Sequence, residues 1–210
     1  MPADRRPIAS RNTRIAARIA RALADRGVSP NRISQASMGF AALAGAAFWA
    51  SGVVSGPLSG VLLALAAVGC QLRLLCNLFD GMVAVEGGRG APDGPFWNEA
   101  PDRLADILIL AGMGYGAGVP ALGWAAASLA VLTAYIRELG SAQGQAADFR
   151  GPMAKPQRMA LATGAAVLAI FLPQLAGVSI LAVALWLIAA GAVLTALGRG
   201  ARLIAALKQR

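Results

Sequence analysis

The chain has 210 residues, 57% of them hydrophobic and only 14% charged, with a formal net charge of +9 and no histidine. Ordinary soluble domains carry roughly 25% charged residues, so this balance excludes a water-soluble globular domain and points to one polytopic, all-α membrane domain. The missing histidine excludes His-based acid–base catalysis and His ligation of a metal.

The leader, residues 1–28, is basic. Arg11, Arg14, Arg18 and Arg21 recur at helical spacing beside Ile15, Ile19 and Leu23. That pattern predicts a cationic amphipathic helix lying on an anionic leaflet, and it accounts for the net charge without nucleic acid. No short apolar core followed by a small-residue cleavage site is present, so no signal peptide is expected. Gly27 and Pro30 then make a turn, and Ser29 or Asn31 can cap the first span.

Apolar segments follow at 33–54, 60–75, 107–119, 124–136, 160–175 and 180–197. A spanning helix needs about 20 mostly apolar residues. Polar residues at their ends shorten some of these segments, and the natural count is six spans within a domain over 29–198. The connections alternate in charge. Those near 51–58, 118–123 and 173–179 carry none, whereas 85–96 holds Glu86, Arg89 and Asp93, and 137–158 holds Arg137, Arg150, Lys155 and Arg158. The tail, 199–210, is basic again. By the positive-inside rule both termini and the charged connections are cytosolic. Richness in Ala, Gly and Arg suggests a GC-rich bacterial genome, and the expected location is the bacterial inner membrane. Cys70 and Cys76 lie within one apolar segment and read as small buried hydrophobes. Trp49, Trp97 and Trp124 read as interface anchors, and Trp186 as core.

Ionisable residues inside membrane helices are costly and mark functional sites by default. They concentrate at the cytosolic end of the second span and the start of the third. Arg73, Asn77, Asp80 and Ala84 fall on one helical face, and so do Asn98, Asp102 and Asp106. A tight Gly- and Pro-rich turn joins the two helices, so their polar faces converge. Carboxylates without histidine or thiolate suit hard, oxygen-ligated cations such as Mg²⁺ or Mn²⁺.

These residues resemble the motif of the integral membrane CDP-alcohol phosphatidyltransferases, Asp-x2-Asp-Gly-x2-Ala-Arg-x8-Gly-x3-Asp-x3-Asp. The frame here is Asn77-x2-Asp80-Gly81-x2-Ala84-Val85-x8-Gly94-x3-Asn98-x3-Asp102, without a gap. Asp80, Gly81, Ala84, Gly94 and Asp102 keep the family residue, while Asn77, Val85 and Asn98 depart from it. The lead-in Val28-Ser-Pro-Asn-Arg-Ile33 is similar to the family's frequent V-T-P-N-x-I.

The resemblance implies transfer of a phosphatidyl group from a CDP-lipid such as CDP-diacylglycerol to a small alcohol, with release of CMP, in phospholipid biosynthesis. It implies one or two Mg²⁺ or Mn²⁺ ions at Asp80, Asp102, Asn77 and Asn98. The nucleotide would lie against Asn77, Gly81, Ala84 and Gly94, and the protein would be a homodimer. Asn77 and Asn98 remove two negative charges from the metal shell; Glu99 and Asp106 are placed to restore them, and Asp102 and Asp106 are the candidate catalytic carboxylates. Arg73 either snorkels or pairs with Asp106. Arg150, Lys155 and Arg158 suit a cationic pocket for a phosphorylated acceptor or the lipid phosphate, or serve as topology-setting charge. The alternative function is a non-catalytic member that binds a nucleotide-lipid or partners another membrane enzyme. A transporter fits less well, because no polar path reaches the far side.

Overall fold

The computed structural model describes residues 13–86, 88 and 92–209, with the backbone alone for Glu86. Arg5, Arg6, Arg11, Arg89 and Arg210 of the expected basic segments lie outside the described residues. The chain is helical almost throughout: α1 (Arg14–Asp25), α2 (Pro30–Val53), α3 (Pro57–Glu86), α4 (Gly94–Gly116), α5 (Pro120–Ala142), α6 (Lys155–Phe171) and α7 (Ile180–Leu207). A two-stranded antiparallel hairpin, β1 (Gln174–Leu175) and β2 (Val178–Ser179), links α6 to α7.

Local chemistry sets the helix ends. Thr13 caps α1 by accepting from the Ala16 amide at 3.3 Å, and Gly27, at φ +75°, supplies the left-handed residue that stops it. Ser29 caps α2 through the Arg32 amide at 3.3 Å, with Pro30 in the first turn. Of the two expected caps, Ser29 is therefore the one used. Asn31 instead donates to both oxygens of Asp93, at 3.0 and 3.1 Å, and pins the start of α2 to the start of α4.

Helix α1 lies against α3. Its small face, Ala16, Ala20 and Ala24, packs on Leu78, Met82 and Val83. That leaves Ile15, Ile19, Arg14, Arg18 and Arg21 exposed together, as an interfacial helix requires. The other six helices close a ring by their contacts: α2 on α3 and α4, α4 on α5, α5 on α7, α7 on α6, and α6 back on α3. Its core is Ala-rich, filled out by Phe48, Ile109, Met113, Leu185 and Ile188. Trp186, expected in the core, is 64% exposed on the outer surface of α7; its helical phase is opposite that of Leu185 and Ile188.

By length and composition α2, α3 and α7 are apolar enough to cross a membrane. Helix α4 opens on Asn98, Glu99, Asp102, Arg103 and Asp106, and α6 has only 17 residues, so neither reaches that standard alone.

Glycines set the closest helix approach. A Cβ on Gly45 would overlap the Leu108 carbonyl, one on Gly112 the Gly45 backbone, and one on Gly116 the Phe48 carbonyl. Small residues that let backbones meet are the usual adhesive of membrane helices. Neither backbone can yield without moving its helix, so Gly112→Ala is expected to cost about 1–3 kcal/mol. Thermal unfolding in detergent checks this, with Gly39→Ala, where a Cβ meets nothing within 4 Å, as the neutral control.

Candidate active site at the ends of α3, α4 and α6

Asp80 and Asp102 come together because α3 and α4 run antiparallel around α2 and their polar faces keep the expected register. Asn77, one turn before Asp80, donates its amide to Asp102 Oδ1 at 2.5 Å. The other Asp102 oxygen is held by the Lys155 ammonium from the first turn of α6. Arg73, fully buried, reaches Asp102 Oδ1 at 3.4 Å and Asp106 Oδ1 at 3.2 Å with the same terminal nitrogen.

Asp106 is fully buried between two guanidiniums, Arg73 on one oxygen and Arg158 at 2.6 Å on the other. Each of its oxygens thus accepts from one guanidinium. Arg158 is fixed further by the Met153 carbonyl at 2.9 Å and the Thr133 hydroxyl at 3.4 Å. Arg73 Nε and Nη1 and Arg158 Nε are buried and donate to nothing among the described residues.

Asp80 differs from the other two carboxylates. Its partners are neutral: the Ser34 hydroxyl donates at 2.7 Å and the Gly81 amide at 2.5 Å. Among the described residues it makes no ion pair within contact distance. Ser34, on α2, carried no sequence signal for this role.

Glu99, expected to restore charge to the metal shell, is held by Arg103 at 2.9 Å and by Arg137 of α5 at 2.5 Å. Asn98 is exposed, Gly81 and Ala84 are partly exposed, and a Cβ at Gly94 would meet nothing within 4 Å. Room for a ligand thus exists along this face.

The three basic residues expected to act together divide. Lys155 and Arg158 join the aspartates, whereas Arg150 stays outside with a 73% exposed side chain, paired to Asp148 at 3.0 Å. Arg150, Arg137, Arg199 and Arg202 line a separate cavity of about 100 Å³ at the ends of α5 and α7. Arg199, buried in α7, donates to the Thr133 carbonyl at 2.7 Å and the Arg150 carbonyl at 3.0 Å. Arg202 binds Asp148 at 2.7 Å, and its buried Nη2 has no hydrogen-bond partner among the described residues.

Burial of Asp148 alone would raise its pKa; hydrogen bonds from Arg150 and Arg202 outweigh that and lower it to about 2. Because the folded value lies below the unfolded one, this contact stabilises the loop fully above pH of about 4 and is lost as pH falls towards 2. Arg202→Ala is expected to move the Asp148 carboxyl titration upward, read by carbon-detected NMR.

Asp80, Asp102, Asn77 and Asn98 are hard oxygen donors of the type that holds Mg²⁺ or Mn²⁺. Among the described residues, however, no three carboxylates or thiolates converge as a metal-binding group. Asp102 and Asp106 are already paired with Lys155, Arg73 and Arg158, with Arg103 at 3.9 Å from Asp102 as well, whereas Asp80 is paired with none of them. At Asp80 both oxygens accept from neutral donors, Ser34 and Gly81. At Asp102 the charge is already neutralised by Lys155 and Arg73.

Neither a family model nor a curated protein sequence matches the chain. Solved structures do. The Mycobacterium tuberculosis phosphatidylinositol phosphate synthase with CDP-DAG bound aligns with a TM-score of 0.73 at 21% identity, over 91% of this chain and 94% of that one. The same synthase in complex with manganese and citrate gives 0.72 at 21% identity, over 90% and 88%. Its apo form gives 0.67 at 21% identity, over 86% and 92%. The chain therefore has the fold of that synthase along nearly its whole length.

Proposed function

We propose that this chain is a CDP-alcohol phosphatidyltransferase of a bacterial inner membrane, crossing it six times with both termini and the active site on the cytosolic side. It moves a phosphatidyl group from a CDP-lipid to a small alcohol and releases CMP. The observation that carries the reading is the gapless motif frame, whose retained Asp80, Gly81 and Asp102 meet at one site in a chain with this fold. The solved synthase of the same fold binds CDP-DAG, which supports a CDP-lipid as donor.

The lipid tails stay between the spans while the diphosphate reaches the ends of α3, α4 and α6. The cytidine lies along Asn77, Gly81, Ala84 and Gly94, where small side chains leave space. Asp80, Asn77, Asn98 and Asp102 would hold a divalent ion, which would supply charge neutralisation for the diphosphate. Lys155, Arg73 and Arg158 surround the same point with fixed positive charge, which favours the developing negative charge of transfer. The acceptor oxygen forms a bond to the β-phosphorus as the bond to the CMP oxygen breaks, and the acceptor proton passes to Asp102. Asp106 holds Arg73 and Arg158 in place and is not the base. The Arg-lined cavity beside Asp148 suits the phosphate of a phosphorylated acceptor.

The test is CMP release by purified protein in lipid, given CDP-diacylglycerol, Mg²⁺ or Mn²⁺ and a panel of alcohols that includes glycerol phosphate, inositol phosphate and serine. Release that requires one acceptor is the expected result. Binding of cytidine nucleotide with no release for any acceptor would overturn the catalytic reading in favour of a non-catalytic nucleotide-lipid binder.

A further inference from the structure

We propose that Asp148 sets the anion specificity of the Arg-lined cavity at the ends of α5 and α7. It is the resident anion there: a phosphomonoester dianion displaces it from Arg202, and a monoanion does not. The inference rests on the reading of that cavity as the acceptor's phosphate site and adds how the site selects its anion.

The lining sets four guanidiniums, Arg137, Arg150, Arg199 and Arg202, against one carboxylate, Asp148. Arg137 is committed elsewhere, to Glu99 and Glu138. Arg202 uses half of its fork. Its Nε donates to Asp148 Oδ2 at 2.7 Å, while the buried Nη2 beside it has no hydrogen-bond partner among the described residues. A guanidinium edge binds an oxyanion best through two parallel N–H groups, and here one tethered carboxylate oxygen takes only one of them.

Displacing Asp148 leaves the surrounding chain in place. Thr195, Arg199 and Arg202 share one face of α7, and all three hold the 143–154 connection. Thr195 accepts from the Met153 amide at 3.0 Å, and Arg199 donates to the Arg150 carbonyl at 3.0 Å. Gly151 lies so close that a Cβ there would overlap Thr195. These contacts are to backbone and do not involve the Asp148 side chain. Asp148 also keeps a partner, because the amide and Nε of the exposed Arg150 both donate to its Oδ1 at 3.0 Å. Only the Arg202 contact is exchanged. Against a monoanion the tethered carboxylate wins through its effective concentration. Against a phosphate dianion, with oxygens for both Nε and Nη2, it loses.

Titration of the wild-type protein in lipid with inorganic phosphate, at a pH of about 8 where phosphate is a dianion, tests this without CDP-lipid or turnover. Followed by carbon-detected NMR, the Asp148 carboxyl signal is expected to move and saturate with phosphate and to stay in place with acetate. Asp148→Asn is expected to bind phosphate at least about 10-fold more tightly, through removal of one like charge, and to admit acetate. Arg202→Met is expected to lose phosphate binding by a similar factor.

An Asp148 signal that phosphate leaves in place, or that acetate moves as readily, would overturn the proposal whatever the variants do. So would an Asp148→Asn variant with a wild-type melting profile that binds phosphate no more tightly, the result expected of a merely structural tie. CMP release is scored separately. A protein that releases CMP but fails the phosphate titration sinks this proposal alone, and one that passes it and releases none sinks the transferase reading alone.

Discussion

Asp106→Ala is expected to be the most destabilising single change in the protein. It leaves Arg158, 2% exposed, without a counter-charge, and Arg73, fully buried, with Asp102 alone at 3.4 Å. Breaking one partner out of a buried ion pair costs about 3–5 kcal/mol, and here one carboxylate serves two cations. Asp106→Asn keeps the shape and both acceptor contacts in part, so it should lose less. The cost belongs to the stranded charges and not to a lost contact. Replacing Arg73, Asp106 and Arg158 together by Met, Leu and Met should therefore recover most of the stability while abolishing activity. Unfolding in mild detergent measures all three. A single Asp106→Ala variant that melts like wild type would refute the buried triad.

Asp102→Ala and Asp80→Ala are expected to cut CMP release by at least about 100-fold, the scale of a positioned acid–base or charge-stabilising group. The two should fail differently. Asp80 is the carboxylate with neutral partners, so its removal should abolish Mn²⁺ binding. Asp102 is already neutralised by Lys155 and Arg73, so its removal should weaken Mn²⁺ binding less than that of Asp80 and strike the chemical step. Glu99→Ala, despite lying next to the motif, should stay within a few-fold of wild-type turnover, because Glu99 is committed to Arg103 and Arg137. Equal loss from Glu99→Ala and Asp102→Ala would move the active centre towards α5 and contradict the arrangement described here.

Much of this was legible in the chain by itself, because it depended on local spacing. Apolar run lengths marked six helices and the Arg-rich leader marked a seventh. Ser29 before Pro30 marked a helix start. The gapless frame from Asn77 to Asp102 put the polar faces of α3 and α4 in register, and of the two expectations for Arg73, snorkelling or pairing with Asp106, the structure shows the pairing. The phase of Trp186 was legible too and was misread: an apolar segment buried at Leu185 and Ile188 turns the two residues between them, Trp186 and Leu187, outward.

What only the tertiary structure decided is which cation meets which carboxylate. Lys155 reaches Asp102 across 53 residues and Arg158 reaches Asp106 across 52, while Ser34 reaches Asp80 across 46. Those meetings depend on the ring closing through α6 and α3, which no local periodicity encodes. Glu99 is the clearest case. Its spacing from Asp102 permitted a metal role, yet α5 arrives with Arg137 on that side and takes it. Helical period fixes the face a residue occupies, whereas its electrostatic partner depends on which helix packs there, and in a site this dry the partner decides the chemistry.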